Sequence, residues 1–286
     1  MSQIAEQIAV QTNTPVTHEE IIHENTLYAE PIAHIGSFAI TNSLVTSGFA
    51  LIIIITLSLL IKKSIKKVPT GIQNAMEMVI EGFLGIFDGV TGSRKKSLQF
   101  APLVLTFFFF ILINNWLGLL PGVGSIGQIV VHDGEKIFVP YLRGATADLN
   151  TTLALATLGV VISHIIGVIT IGWWNYLNKF INIKALLEIP GKIKRDPMIL
   201  LINPIKVFVG FIEIIGELAK VASLSFRLFG NVFAGEVLLA SMSAILAYGI
   251  PIPFMFLEVL VGLIQALIFA MLILTYLTIN TTAEEH

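Results

Sequence analysis

Residues 221–240 read VASLSFRLFGNVFAGEVLLA, an apolar run that is interrupted by Arg227, Asn231 and Glu236. This run lies inside residues 199–248, a largely apolar stretch that would extend over about 75 Å as a helix rising ~1.5 Å per residue. That is more than twice the ~30 Å thickness of a hydrocarbon core. The stretch therefore holds either more than one span or one strongly tilted helix. Because no proline or charged loop breaks it after Val207, we expect a single long element.

The composition of the chain predicts an integral membrane protein. Of its 286 residues, 55% are hydrophobic and 13% charged, and the mean hydropathy of +0.85 lies outside the range of soluble domains. The chain has no cysteine, which excludes disulfides, thiol nucleophiles and thiolate metal sites. We find no phosphate loop, catalytic triad, nucleotide fingerprint or metal-ligand spacing. We therefore expect no ATP chemistry, cofactor or metal in this chain, and no enzymatic activity of its own.

Hydropathy and periodicity predict an all-α, polytopic fold with one membrane domain, residues 38–286. Residues 70–91 place acidic side chains among apolar ones at helical spacing, which is typical of an amphipathic surface helix. Residues 1–37 form a polar, acidic tail, and the glycine and prolines of residues 249–253 favour a turn that makes the last two helices an antiparallel hairpin. The predicted membrane helices cover residues 38–61, 98–120, 148–171, 199–248 and 254–279.

The distribution of positive charge predicts the orientation of the chain. Twelve of the 17 Lys and Arg residues lie in three connectors, at 62–67, 94–96 and 179–195. Under the positive-inside rule these connectors are cytoplasmic. The N-terminal tail is then outside, and the C-terminus is in the cytoplasm.

Arg227 is the most unusual residue of the chain. An arginine at bilayer depth costs at least ~2.5–3.5 kcal/mol on insertion scales, so we expect it to face a protein interior or an aqueous path rather than lipid. Arginine stays protonated, so this side chain cannot relay a proton, but it can block cations and attract a carboxylate. At ~100° per residue, one polar stripe with Arg227 contains Asn231, Lys220, Glu213 and Glu217.

Glu236 falls on the opposite face of the same helix. An antiparallel hairpin that pairs Arg227 with Gln265 requires the same turn, beside Gly249, as one that pairs Glu236 with Glu258. One hairpin could therefore satisfy both contacts.

The string LSFRLFGNVFAGE at residues 224–236 makes this chain resemble subunit a of the rotary F-type ATP synthases. Gln265 and Tyr276 downstream, the sequence ADLNTT at 147–152 and the terminus AEEH at 283–286 add to the resemblance, which covers most of the chain. It implies a non-catalytic subunit of a bacterial inner membrane complex. The implied partners are the ring of c subunits, the b-subunit peripheral stalk and the remainder of the ATP synthase.

The resemblance also implies roles for individual residues. Arg227 would face the essential carboxylates of the c-ring, drive their deprotonation and separate two offset half-channels, so that ions cannot short-circuit. Asn231 and Gln265 would flank it, and Glu236 and Glu258 would line the half-channel open to the outside. Some bacterial members have histidine in place of Glu258, so here we expect two acids that share a proton.

Several polar residues have a structural interpretation beside the functional one. Glu236 and Glu258 could form a structural hydrogen-bonded pair, and Asp148 could be only a helix N-cap. Asn114 and Asn115 are typical of interhelical hydrogen bonding, and a lone His164 favours a packed polar residue. The secondary candidates for proton translocation are Glu213, Glu217, Lys220, Asp148 and Tyr276.

Two other classes of function remain open at this point. A self-contained proton-coupled transporter would commonly show internal repeats and broken helices, and the sequence has neither. A purely structural assembly subunit would leave the intramembrane charges unexplained. Whether the ion is H⁺ or Na⁺ is not decided, because the ion-binding carboxylate would belong to the partner.

Overall fold

The computed structural model describes residues 26–66, 68–69, 71–120, 122–132, 135–181, 198–246 and 249–282. These parts form seven α-helices, two β-hairpins and a short 3₁₀ helix, Ala145–Ala147. Most of the acidic tail, the connector 182–197 and the terminal residues 283–286 lie outside the described residues. The strands are β1 Pro31–Ile35, β2 Phe38–Thr41, β3 Gly127–His132 and β4 Glu135–Pro140; the helices are α1 Asn42–Ser64, α2 Ile72–Thr91, α3 Arg94–Gly118, α4 Leu149–Ile171, α5 Trp173–Ile181, α6 Ile199–Ile245 and α7 Pro251–Thr281.

Five of the described helices, α1, α3, α4, α6 and α7, are long and apolar enough to cross a membrane. The predicted all-α polytopic fold is therefore confirmed. The first helix differs at its start, because Phe38 belongs to the antiparallel β1–β2 hairpin rather than to the helix. Thr41 ends that strand, and its hydroxyl accepts a hydrogen bond from the Leu44 backbone N–H at 3.3 Å. This N-cap begins α1 at Asn42.

The long apolar stretch forms one continuous helix, α6, of 47 residues. After α6 the chain turns at Gly249, whose φ of +103° favours a residue without a side chain. Pro251 then occupies the first turn of α7, where its missing N–H costs nothing. The last two helices form the predicted antiparallel hairpin.

Helix α7 lies at the centre of the bundle and packs against α3, α4 and α6. Its inner face is buried at Phe269, Ile273, Leu274 and Leu277. Polar bonds add to this packing near its first turns. The Asn115 side-chain amide donates to the Gly262 carbonyl at 3.0 Å, so α3 and α7 are joined inside an apolar region where an unpaired amide would be costly.

The bundle has two chemically different ends. At one end, which we call the lysine end, α1 finishes with Lys62 and Lys63, and α3 begins with Arg94, Lys95 and Lys96. The amphipathic helix α2 joins α1 to α3 there and buries Leu84 and Phe87. We call the other end, where the two β-hairpins lie, the hairpin end. There the Asn42 side chain donates to the backbone carbonyl of Pro140, the last residue of β4, at 3.3 Å.

Gly167 lets α4 approach both α5 and α7. A Cβ atom at this position would lie 2.7 Å from the Asn280 backbone oxygen and 2.7 Å from Cε2 of Tyr176. By contrast, a Cβ at Gly48 in α1 would meet nothing within 4 Å. The two helical glycines therefore differ in how much room surrounds them.

We predict that Gly167→Ala lowers the thermal unfolding temperature of the purified protein in detergent, because overpacking costs about 1–3 kcal/mol. Gly48→Ala is the matched control and should be neutral or stabilising, since alanine favours a helix by roughly 1 kcal/mol over glycine. Equal stabilisation by both changes would contradict the close contact at Gly167.

Candidate functional site: polar clusters along α6

Arg227 lies on an exposed face of α6 together with Ser223 and Asn231. On another side of the same turns, Leu224 and Leu228 are each only 1% exposed and hold the helix against the bundle. The guanidinium reaches back along its own helix, where Nη2 donates to the Ser223 hydroxyl at 3.4 Å. Among the described residues, no carboxylate forms an ion pair with Arg227.

Gln265 lies half-buried on α7. The hairpin register predicts that Arg227 meets this side chain, but within the described parts no hydrogen bond joins the two. The guanidinium bonds Ser223 instead. Residues four positions apart are neighbours on a helix surface, so this serine is within reach of the arginine side chain. Among the described residues, the Arg227 charge therefore has a hydroxyl partner and no carboxylate partner.

Glu236 points to the other side of α6 and is paired with Arg143, which the sequence did not single out. Arg143 Nε donates to Oε1 of Glu236 at 2.9 Å, and Nη2 donates to Oε2 at 2.9 Å. The Arg143 side chain is only 5% exposed, whereas that of Glu236 is 32% exposed. Such a two-pronged arginine–carboxylate pair is among the stronger polar interactions in proteins.

The remaining donors of Arg143 hold the segment that precedes β1. Nη2 donates to the Thr26 carbonyl at 2.8 Å, and Nη1 donates to the Tyr28 carbonyl at 3.3 Å. The Arg143 backbone N–H bonds the Thr46 hydroxyl in α1 at 3.3 Å. A single buried arginine therefore joins the N-terminal segment, α1 and α6 at the hairpin end.

Glu258 is buried on α7, with 9% of its surface exposed. Its carboxyl group lies directly against Gly235, where any Cβ atom would collide with it. The antiparallel register thus brings Glu258 beside the residue that precedes Glu236. A cavity of about 600 Å³ opens there, lined by Glu30, Asn115, Arg143, Glu236 and Glu258 among others.

The expected pair of acids sharing one proton differs from what the structure shows. Both carboxylate oxygens of Glu236 accept bonds from Arg143, and among the described residues the Glu258 side chain forms no hydrogen bond. Glu236 is thereby neutralised by a cation rather than by a shared proton. The two acids face one cavity without forming a dyad.

Asp148 serves as the N-cap of α4. Its carboxylate accepts bonds from the backbone N–H groups of Asn150 and Thr151, both at 3.2 Å. It also accepts from the Ala29 backbone N–H at 3.1 Å and from the Ser43 hydroxyl at 3.3 Å. Since Asp148 is only 3% exposed, these contacts favour the structural interpretation over a role at the channel entrance.

A second polar cluster lies nearer the lysine end. Glu217 on α6 binds Lys220 at 2.7 Å and His164 Nε2 on α4 at 3.3 Å. The Lys220 ammonium also lies 5.2 Å from the centre of the Tyr276 ring on α7. Glu213 is half-buried one turn earlier on α6. Three of the secondary candidates thus meet, and His164 joins them.

Sequence reasoning missed Arg143 and assigned His164 to packing alone. Arg143 is one of few positive charges in a connector predicted to lie outside, an exception to the positive-inside pattern that could have drawn attention to it. His164 offered no comparable signal, because its partner lies on another helix. Within the part that the structure describes, no group of three or more His, Asp or Glu side chains is placed to hold a metal ion.

Comparison with known proteins gives a consistent result. A family model described as the ATP synthase A chain matches residues 44–278. Proteins named ATP synthase subunit a are similar: that of Trichlorobacter lovleyi is 31% identical over 255 residues, 89% of this chain and 93% of that protein. That of Geobacter sulfurreducens is 33% identical over 236 residues, 82% and 85% of the two chains. The chloroplastic subunit a of Stigeoclonium helveticum is 34% identical over 244 residues, 85% of each chain.

We predict that Arg143→Ala loosens the hairpin end, because it leaves Glu236 and the Thr26 and Tyr28 carbonyls without their donor. Hydrogen bonds to charged groups contribute about 1.5–3 kcal/mol each, so amide exchange in residues 26–30 should become at least about tenfold faster. Hydrogen exchange read by mass spectrometry measures this. Arg94→Ala is the control, since Arg94 is 42% exposed and its pairs with Glu81 and Asp88 are surface pairs. Equal protection in both variants would contradict the anchoring role of Arg143.

Proposed function

Since this chain belongs to the ATP synthase A chain family, we propose that it is the stationary part of the proton path in a rotary ATP synthase. As a family member it is a multi-pass membrane component of the F0 sector, takes part in ATP synthesis and proton transport with the other subunits of that complex, and is not itself the catalytic subunit. The partners proposed within the complex are the ring of c subunits and the b-subunit peripheral stalk.

The observation that carries the proposal is Arg227, a permanent charge on an exposed face of a membrane helix with no carboxylate partner among the described residues. A charge in this position needs a counter-charge from another chain. A carboxylate on a rotating c subunit would supply it. At ~4 Å and an effective dielectric of ~20 the attraction is about 4 kcal/mol, enough to favour loss of the proton from the arriving carboxyl group.

Arg227 also separates the two sides of the path. Because arginine stays protonated, no proton passes through it, and its charge repels other cations. Asn231 shares its exposed face, and Gln265 lies on the neighbouring helix, so both flank the region through which a c-subunit carboxylate would move. A proton can then cross only by travelling with the ring.

We assign the cavity at the hairpin end to the half-channel that opens outside. The positive-inside rule makes the lysine end cytoplasmic. The N-terminal segment then lies on the outer side of the bacterial inner membrane, and the C-terminus lies on its cytoplasmic side. Glu236 and Glu258 face this cavity and offer carboxylates to incoming protons. Arg143 balances the charge of Glu236, so the cavity can hold two acids at membrane depth without two uncompensated charges.

The cluster near the lysine end is assigned to the half-channel that opens to the cytoplasm. Glu213, Glu217 and Lys220 lie on the same helix as Arg227, and Tyr276 lies beside Lys220. Polar groups inside a membrane bundle commonly mark ion paths, because each one is costly unless it has a partner or contacts water.

We predict that Arg227→Ala abolishes ATP synthesis and ATP-driven acidification of inverted vesicles, because protons then cross without turning the ring. Ser241→Ala is the matched control, since Ser241 is exposed on the same helix and its hydroxyl bonds the Val237 carbonyl at 2.8 Å; it should retain most of the coupled activity. Normal coupling in the Arg227→Ala complex would overturn the proposed function.

We predict that Glu236→Gln and Glu258→Gln each slow ATP-driven acidification at least about tenfold, since a positioned general acid–base group typically contributes about 10²–10⁴-fold to a rate and glutamine cannot exchange a proton. Because both side chains face one cavity, the double variant should be little slower than the slower single one. Glu81→Gln, on the surface helix α2, should have no effect. Independent, multiplicative losses would show that the two acids do not serve one path.

A further inference from the structure

His164 has a contact on each of its two ring nitrogens. Nε2 lies 3.3 Å from a carboxylate oxygen of Glu217, and Nδ1 is hydrogen-bonded to the Tyr176 hydroxyl of α5. The side chain is 25% exposed, at a depth where the surrounding residues of α4 are apolar. An imidazole between an acid and a hydroxyl group can accept a proton on one nitrogen and release one from the other.

The packing around His164 holds the ring in one place. The Tyr176 and Phe180 rings lie edge-on to it, with centroid distances of 6.0 Å and 6.1 Å. Tyr176 itself is only 4% exposed, and it reaches this position because Gly167 has no side chain to obstruct it. Short helix α5 thus brings a hydroxyl group into the bundle against α4.

The cluster also extends toward Arg227. Glu217 is joined to Lys220 at 2.7 Å, and Lys220 precedes Arg227 by two turns on the same face of α6. Helices α4 and α6 are in direct polar contact nearer to Arg227 as well, where the Thr152 and Ser225 hydroxyls are 3.2 Å apart. Lys220 thus lies along α6 between Glu217 and Arg227, on the side from which a proton released near Arg227 would arrive.

We propose that His164 is a proton-relay residue of the cytoplasmic half-channel, exchanging protons between Glu217 and the Tyr176 hydroxyl. This inference rests on the proposed function, because it concerns protons that a c subunit has released near Arg227. It adds a named relay residue to a path for which the polar stripe of α6 supplied only acids and a lysine.

The transfer conserves protons at each step. With the imidazole proton on Nδ1, a protonated Glu217 gives its proton to Nε2, so one O–H bond breaks and one N–H bond forms. The imidazolium then gives its Nδ1 proton to the phenol oxygen while the phenolic proton moves on to solvent at the lysine end. Because the His164 side chain is 25% exposed, Nε2 then releases its proton to water and Nδ1 takes one up from water. This exchange restores the starting tautomer, and one proton has crossed.

The surroundings keep Tyr176 in its neutral form. Burial raises the pKa of Tyr176 above its ordinary value, and the nearby carboxylates of Glu217 and Glu213 raise it further. The phenol therefore remains a hydrogen-bond donor and carries protons without becoming an anion. The other charged or titratable groups around His164 are, among the described residues, Lys220 and Arg227 on α6 and Tyr276 on α7.

The test replaces His164 with glutamine in the complete ATP synthase and measures ATP-driven acidification of inverted vesicles at several bath pH values. In such vesicles the cytoplasmic face meets the bath, so bath pH acts on this cluster. Glutamine retains hydrogen-bonding groups but cannot ionise. We expect the rate to fall at least about tenfold, as for loss of a general acid–base group, and its dependence on bath pH to become weaker than in the wild type.

Ser163→Ala is the matched control. Ser163 is the adjacent residue of α4, and its hydroxyl accepts a bond from the Asn280 amide at 3.0 Å rather than from the cluster. It should keep the wild-type pH profile. A His164→Gln complex with the wild-type rate and profile would overturn the relay, and so would a reduced rate with an unchanged profile, because that pattern indicates a structural role only.

Two further variants make the outcome decisive. If His164→Gln fails to assemble, Tyr176→Phe removes only the hydroxyl and must slow acidification, and an unchanged rate overturns the relay. Arg227→Ala separates the two proposals: normal coupling in that variant overturns the proposed function itself. An uncoupled Arg227→Ala complex beside a normal His164→Gln complex overturns the relay alone.

Discussion

The structure depends on the cost of placing charge in hydrocarbon. Each charged side chain in the membrane part of α6 must be compensated, and the helix solves this in three ways. Glu236 is neutralised by a buried arginine, Glu217 by Lys220, and Arg227 has no carboxylate partner among the described residues. Unequal compensation distinguishes the three positions. The two balanced sites have a counter-charge within this chain, whereas we propose that Arg227 meets its counter-charge on a second protein.

Much of the fold could be predicted because hydrophobicity and length report directly on membrane crossing. The long apolar stretch indicated one continuous helix, and the glycine and prolines after it indicated the hairpin. The first helix began later than predicted, since Phe38 is as apolar as a membrane residue but belongs to a strand. Hydropathy does not distinguish an apolar strand that precedes a helix from the helix itself.

Residues of the candidate site were predicted only where their spacing along a helix, or the turn between two helices, determined their position. Arg227, Asn231 and Glu236 could be assigned to faces by their spacing, and a shared turn indicated that Glu258 would approach Glu236. The partners were not predictable in this way. Arg143 comes from a loop and His164 from a different helix, so neither pairing has a periodicity that the sequence could show. As a result the acids were predicted to pair with each other, while the structure gives Glu236 a cation.

One rigid helix carries Glu217, Arg227 and Glu236, and this has a geometric consequence. Glu217 and Glu236 lie about 28 Å apart along α6 at ~1.5 Å per residue, and their directions differ by roughly 100°. The separation of the two polar clusters, in both height and angle, is therefore set by the number of residues between them. Deleting or inserting a single residue between them would turn one cluster by ~100° and shift it by ~1.5 Å relative to the other.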